Sequence, residues 1–157
     1  MTMRYALIVL LLSLLACHSG ESRVLTSEPC QTTLCCTACR PVTVGKTIDG
    51  DTIDSSEGRI RLFGIDAPEI GEPCYGEAKT ELRKLSGNRI RVEEGPRSTD
   101  NFQRRLYYAY TESGESIDEH LIAKGLAEAW RRDGQHKDHL ISVQKLSLRS
   151  EKGCLWK

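Results

Sequence analysis

Hydrophobic and polar positions fall into a series of short periodic stretches. Val42, Val44 and Ile48 open a strand-like run, closed by a turn at Asp49-Gly50-Asp51. A short strand and a hairpin at Ser55-Ser56-Glu57-Gly58 follow, because small polar residues and Gly favour tight reversal. Arg59 through Ile65 alternates, which predicts a strand with Arg61 on the same face as Ile65. Ala78, Leu82 and Leu85 stand at i, i+4, i+7, a helical stripe stopped by Gly87. Ile90 and Val92 predict another strand. Leu106-Tyr107-Tyr108-Ala109-Tyr110 predicts a further one, dense in aromatic residues that suit a pleated surface. Ser116-Ile117-Asp118-Glu119 has the form of a capping box, and the helix it opens ends at Lys124-Gly125. A last helix carries Leu140, Val143 and Leu146.

The resulting order is β-β-β-α-β-β-α-α. Five short strands with an inserted helix predict an α+β fold, a five-stranded OB-fold-like β-barrel with about three helices. The periodic region runs over residues 41–157, and 18–40 lacks any period. Ser, Thr, Glu, Pro and Cys dominate that earlier stretch, which reads as a Cys-rich tether.

Residues 1–17 have a different character. Arg4 is the one charge in the first twenty residues, and Tyr5 to Ala16 is almost wholly apolar. A short positive start followed by such a run is the pattern of a secretory signal. It is shorter than the roughly 20 apolar residues a transmembrane helix needs. Leu14-Leu15-Ala16-Cys17 resembles a bacterial lipobox, whose Cys becomes the lipidated first residue; ordinary cleavage nearby is the alternative. The expected location is therefore outside the cytoplasm, as a bacterial cell-envelope lipoprotein or a secreted protein. A membrane enters only through the lipid anchor at Cys17.

Export changes how the cysteines are read. Six remain beside Cys17: Cys30, Cys35, Cys36, Cys39, Cys74 and Cys154. In an oxidising compartment an even set suggests disulfides, although six Cys allow about 15 pairings. The simplest partition is two local bridges within Cys30–Cys39 plus Cys74–Cys154. A four-thiolate zinc site built from Cys30, Cys35, Cys36 and Cys39 is the competing reading.

At 157 residues the chain has room for one ordinary domain. With 22 Lys+Arg against 22 Asp+Glu its formal charge is zero, and it is slightly acid-rich from residue 41 onward. Broad electrostatic adhesion to nucleic acid or anionic membrane is thereby excluded, so such chemistry has to come from a local site.

Three segments carry the candidate chemistry. Asp49-Gly50-Asp51-Thr52 places two acids around a Gly at a strand end, where carboxylates can meet a hard cation. In Arg61 through Glu69, Asp66 and Glu69 flank Pro68, so one carboxylate can ligate metal while the other stays free as a base. Arg61, facing a mostly apolar interior, needs an anionic partner. Asp100-Asn101-Phe102-Gln103-Arg104-Arg105 puts another Arg at a strand start; alone, it reads as a solvated charge pair.

Taken together, these segments resemble the staphylococcal nuclease-like (thermonuclease) family. The resemblance runs from about Val42 to Trp156 and includes Tyr75-Gly76-Glu77-Ala78, Gly125-Leu126-Ala127 and Leu155-Trp156. It implies an OB-fold barrel that hydrolyses phosphodiesters of DNA and RNA with Ca2+ and leaves 3′-phosphate ends. It further implies that Asp51, Asp66 and the backbone carbonyl of Ala67 hold calcium. Glu69 corresponds to the general base, and Arg61 and Arg104 to the clamp on the attacked phosphate. A monomer is expected. A non-catalytic OB-fold module that binds nucleic acid or protein is the alternative; retention of Asp51, Asp66, Arg61, Glu69 and Arg104 argues against it.

Departures from the family pattern matter as well. A Lys-Tyr-Gly precedes the second clamp Arg in the family, and here Asn101-Phe102-Gln103 replaces it. Neither Asn101 nor Phe102 can hold a phosphate as Lys and Tyr would, so weaker substrate binding is expected. Trp130 can stack a base or pack in the core, and Arg131 and Arg132 can grip phosphates or lie solvated. His136 and His139 read as a solvated face rather than a metal pair, and His120 as structural.

Overall fold

A computed structural model describes residues 30–157. The signal segment, the lipobox at Cys17 and most of the 18–40 stretch lie outside the described residues. Five strands close into a barrel: β1 (Arg40–Thr47), β2 (Thr52–Ser55), β3 (Gly58–Leu62), β6 (Arg105–Tyr110) and β5 (Arg89–Thr99), in that spatial order. All neighbours pair antiparallel except β3 with β6, which run parallel. A second, two-stranded sheet joins β4 (Ile65–Asp66) to β7 (Glu128–Ala129). Three helices complete the α+β fold: α1 (Tyr75–Ser86), α2 (Ile117–Ala123) and α3 (Lys137–Arg149).

Inward positions of the strands meet the apolar stripes of the helices in one core. Val42, Ile53, Ile60, Leu62, Ile90 and Leu106 supply its barrel side, and Ala78, Leu82, Leu121 and Leu140 its helical side. The β2–β3 hairpin turns at Gly58, whose φ of 92° is open to Gly at no steric cost. Ser116 caps α2 as its sequence suggests, its side chain accepting the Glu119 N–H at 3.1 Å. Glu119, however, does not close the box. Its carboxylate accepts the Thr33 and Leu34 N–H groups at 2.9 and 2.8 Å, docking the N-terminal segment instead.

Several expectations need correction. The strand expected over Arg59–Ile65 breaks at Phe63-Gly64. A Cβ on Gly64 would stand 2.6 Å from Leu140 Cδ1 and 2.8 Å from Asp118 Oδ1, so the chain bends tightly against α2 and α3 there. Strand parity therefore does not relate Arg61 to Ile65. In α3 the buried side is Leu140, Gln144 and Ser147, whereas Leu146 is 62% exposed. Gln144 faces inward because its Oε1 accepts the Ala129 N–H of β7 at 2.9 Å, a bond apolar periodicity cannot announce. His136 and His139 are not a solvated face. Each binds its own carboxylate, Glu93 at 2.9 Å and Glu119 at 3.0 Å.

The cysteines form three bridges, Cys30–Cys35, Cys36–Cys39 and Cys74–Cys154. No thiolate is left in this set for zinc. The segment from Cys30 is docked rather than loose, with Cys35 bridging Glu115 and Cys36 N–H donating to Gly114 O. Among the described residues, no helix is long and apolar enough to cross a membrane.

Candidate active site

The turn between β1 and β2 delivers Asp51 to one end of the barrel. Asp49 Oδ1 accepts the Asp51 N–H at 3.0 Å and tightens the turn. Gly50 permits its position, since a Cβ there would stand 2.7 Å from Ala67 Cβ and 2.9 Å from Ala78 Cβ. Asp51 is consequently buried. Its Oδ2 accepts the Ala67 N–H at 3.0 Å and its Oδ1 accepts the Thr52 hydroxyl at 2.9 Å. Burial pushes this carboxyl up to about 6, against the pull of Arg61 and the Ala67 N–H.

Arg61, on β3, is nearly enclosed. Its Nη2 lies 3.1 Å from Asp51 Oδ2 and 2.7 Å from Asp66 Oδ1. Its Nη1 donates to the carbonyls of Leu62 and Ile65, both at 2.8 Å. The bend at Phe63-Gly64 makes this possible, because it returns Ile65 and Asp66 over the guanidinium. Asp51 and Asp66 thus converge on a single cationic nitrogen. Two carboxylates so arranged are hard oxygen donors and fit a divalent cation of the calcium type. Among the described residues, no group of three or more His, Cys, Asp or Glu side chains is gathered for a metal. A calcium site here would need carbonyl or water oxygens as well.

Arg104, just before β6, is aimed from behind by Asp100. Nε donates to Asp100 Oδ2 at 2.7 Å, and the Arg104 N–H to Oδ1 at 2.9 Å. Burial works to raise the Asp100 carboxyl, but Arg104 and the Phe102 N–H outweigh it and hold it below the ordinary range. Arg104 Nη1 reaches Thr52 Oγ1 at 3.4 Å, so the Thr52 hydroxyl links this Arg to Asp51. Asp100 and Thr52 were not singled out as site residues from sequence. The i, i+4 spacing of Asp100 and Arg104 was the available signal for the first, and it also fits an idle surface pair.

Glu69 is exposed and shares a recess with Arg59, Phe102 and Arg104. No side chain among the described residues hydrogen-bonds its carboxylate. Next to the recess opens a cleft of about 610 Å³, lined by Arg61, Arg97, Arg104, Arg132, Phe102 and Trp130. Three of these guanidiniums lie over aromatic rings: Arg97 over Phe63, Arg104 over Phe102, and Arg132 over Trp130, at 5.2, 5.5 and 5.3 Å. Trp130 is half-buried in the cleft wall, its Nε1 donating to Asp133 at 2.9 Å, and so is not a core residue. Arg131 is exposed and does not line the cleft. The structure therefore puts Asp51, Asp66 and Arg61 in contact, connects Arg104 through Thr52, and sets Glu69 beside Arg104 without direct contact.

Comparison with known proteins gives a consistent picture. Residues 59–157 match the family described as staphylococcal nuclease homologue. Thermonuclease of Staphylococcus intermedius is 35% identical over 97 residues, covering 55% of this chain and 57% of that protein. Micrococcal nuclease of Shigella flexneri is 29% identical over 125 residues, 72% and 71% of the two chains. The SPbeta prophage-derived endonuclease YokF of Bacillus subtilis (strain 168) is 29% identical over 131 residues, 73% of this chain and 43% of that one. The chain thus spans little more than half the length of the thermonuclease and less than half that of YokF.

Proposed function

The chain belongs to the staphylococcal nuclease homologue family, and from that premise we propose that it is an exported, calcium-dependent nuclease. Its substrates are DNA and RNA, and its products carry 3′-phosphates. The observation that carries this reading is the convergence of Asp51 and Asp66 on Arg61, with Arg104 linked to the same cluster through Thr52.

Asp51, Asp66 and the Ala67 carbonyl would hold the ion. Bound there, calcium supplies positive charge to a phosphate whose oxygens gather negative charge as the reaction proceeds. Glu69 takes the proton from the attacking water. Its exposed carboxylate, free of hydrogen-bonding side chains among the described residues, suits that task, since a base already committed to a donor is a poorer acceptor. Arg104 donates its Nη hydrogens to the phosphate while Asp100 holds Nε, which keeps the fork pointed forward. Arg61, whose Nη2 is held by Asp51 and Asp66 in the structure, would supply the second fork once those carboxylates turn to the ion. Each well-placed donor of this kind is worth about 10²–10³ in rate. Phe102 and Trp130 offer faces on which bases can stack, in place of the Lys and Tyr that Asn101 and Phe102 displace.

Export is supported by the apolar run of residues 5–16 and by six cysteines paired as disulfides. Cys17 would carry the lipid if the lipobox is processed. The decisive assay is cleavage of plasmid DNA and of RNA by the purified protein with calcium, with EGTA, and with Glu69→Gln. Cleavage is expected with calcium alone, and Glu69→Gln should lower kcat by about 10²-fold or more. Cleavage untouched by Glu69→Gln would overturn the mechanism. Calcium binding without cleavage would favour a non-catalytic binding module.

A further inference from the structure

We propose that the Cys74–Cys154 disulfide is a positioning device for Glu69, so that turnover depends on this pair being oxidised. This rests on the nuclease reading above and goes beyond it.

The segment that carries Glu69 runs from Ala67 to Pro73, between β4 and α1. From Glu69 to Pro73 every residue is exposed, and Ile70 is 80% exposed. Buried Ala67 donates its N–H to Asp51 Oδ2 at 3.0 Å, and from Glu69 onward the hydrogen bonds are local. Glu69 N–H donates to Glu72 Oε2 at 2.8 Å, and Glu72 N–H to Glu69 O at 3.0 Å. Such a loop has little packing of its own, so its two ends decide where it sits.

Both ends are tied to one segment. At the start, β4 pairs with β7, Asp66 opposite Glu128 and Ile65 opposite Ala129. At the finish, Cys74 is buried and bonded to Cys154 in the tail that follows α3. That tail is seated on Lys124-Gly125, just ahead of β7. Leu155 N–H donates to Gly125 O at 3.2 Å, and a Cβ on Gly125 would stand 1.9 Å from Lys152 O. The ladder and the disulfide therefore close a frame around the Glu69 loop. Besides the disulfide, this end is held by one helical bond, the Ala78 N–H donating to Cys74 O at 2.9 Å. Cys74 is the N-cap of α1 in a left-handed conformation, φ 73°, with no side-chain capping bond.

Opening the bridge is a two-electron step. A dithiol reductant breaks the S–S bond, each sulfur leaves as a thiol with one proton, and the dithiol becomes a cyclic disulfide. Closure needs a disulfide-class oxidant that accepts two electrons and two protons, as an oxidising compartment supplies. A general base has to stand within hydrogen-bond reach of its water, and a displacement of about 1 Å can cost about 10²-fold. The chain would accordingly turn over slowly among reduced thiols and reach full rate once exported.

The test uses protein in which Cys30, Cys35, Cys36 and Cys39 are all changed to Ser, which leaves Cys74–Cys154 in place. Its kcat and KM on DNA with calcium are measured before and after dithiothreitol, beside the Cys74→Ser/Cys154→Ser double variant. Hydrogen exchange over residues 67–73 is followed without calcium or substrate. Reduction should lower kcat about 10- to 100-fold, change KM by less than about 3-fold, preserve far-UV circular dichroism and speed exchange in the loop. The double variant should show the lower kcat and no response to reductant. Unchanged kcat on reduction, or loss only in step with loss of circular dichroism, would overturn the proposal. If the four-Ser protein does not fold, wild-type protein under graded reductant, with alkylation mapping each opened bridge, decides the same question. Absence of calcium-dependent cleavage by oxidised wild-type protein would instead sink the nuclease reading. The exchange data would still show whether the disulfide holds the loop.

Discussion

Asp100 does not itself line the recess shared by Glu69 and Arg104, yet through its bonds to Arg104 it determines how that side chain presents its donors. Both of its oxygens are committed, one to the Arg104 side chain and one to the Arg104 and Phe102 backbone N–H groups. Replacing the acceptor pair by an amide leaves one nitrogen facing a donor and lets the guanidinium swing. Asp100→Asn is therefore expected to lower kcat about 10- to 100-fold with the protein still folded. Steady-state kinetics beside a melting curve checks this, and wild-type kcat in the variant would mean that Thr52 alone aims Arg104. Thr52 is the residue least visible from sequence. Its hydroxyl contributes nothing to periodicity, and its position between Asp51 and Arg104 exists only once β2 and β6 share a barrel.

At the level of elements, α2 holds several parts of the molecule together. Ser116 caps its start, Asp118 accepts the Gly64 and Ala109 N–H groups at 3.0 and 2.9 Å, and Glu119 docks the N-terminal segment. Removing the cap hydroxyl in Ser116→Ala should cost about 1 kcal/mol, read as a lower urea midpoint at an unchanged slope. Glu119 makes the fold acid-sensitive. Burial tends to raise its carboxyl, but the Leu34 and Thr33 N–H groups and His139 hold it below its ordinary 4.5. A carboxyl with a depressed folded-state value stabilises fully above the unfolded value, and the stabilisation disappears as pH falls through the folded one. Stability should thus decline below about pH 4.5, and Glu119→Gln should flatten the decline. Urea midpoints across about pH 3 to 6 measure it, and a variant with the wild-type slope would assign the acid sensitivity to other groups.

Over the whole molecule, charge balance and cleft charge point in opposite directions. Net charge is zero, whereas Arg61, Arg97, Arg104 and Arg132 line one cleft. Arg97 is committed to Asp133, with contacts of 2.7 and 3.3 Å, and Arg61 to Asp51, Asp66 and two carbonyls, which leaves Arg104 and Arg132 for phosphates. Without calcium, binding of single-stranded polymer should therefore weaken with salt at a log–log slope of about −1.4. Fluorescence titration at several salt concentrations gives that slope, and a value near −5 would place phosphate contacts well beyond the cleft. The disulfide-bonded segment Cys30–Cys39 docks against Glu115 and Glu119, neither of which lines the cleft.

Much of this could be read in the chain alone. Alternation and i, i+4 spacing revealed the five barrel strands, the three helices and their order, because burying one face of a strand or helix leaves a period in the sequence; the two-residue strands β4 and β7 are too short to leave one. Asp51, Arg61, Asp66, Glu69 and Arg104 stood out only when the three segments were set together and their resemblance to the staphylococcal nuclease-like family noted, since each segment alone also fits an ordinary turn or charge pair. What folding alone decided was how these residues meet. The break at Phe63-Gly64 depends on close contact with Asp118 and Leu140, far along the chain. The inward turn of Gln144 depends on the Ala129 N–H it satisfies, and the roles of Asp100, Thr52 and the Cys74–Cys154 frame depend on partners from separate elements. Periodicity reports which side of an element is buried. It carries no record of which distant polar group waits there, and in this protein those distant pairings aim the side chains of the candidate site.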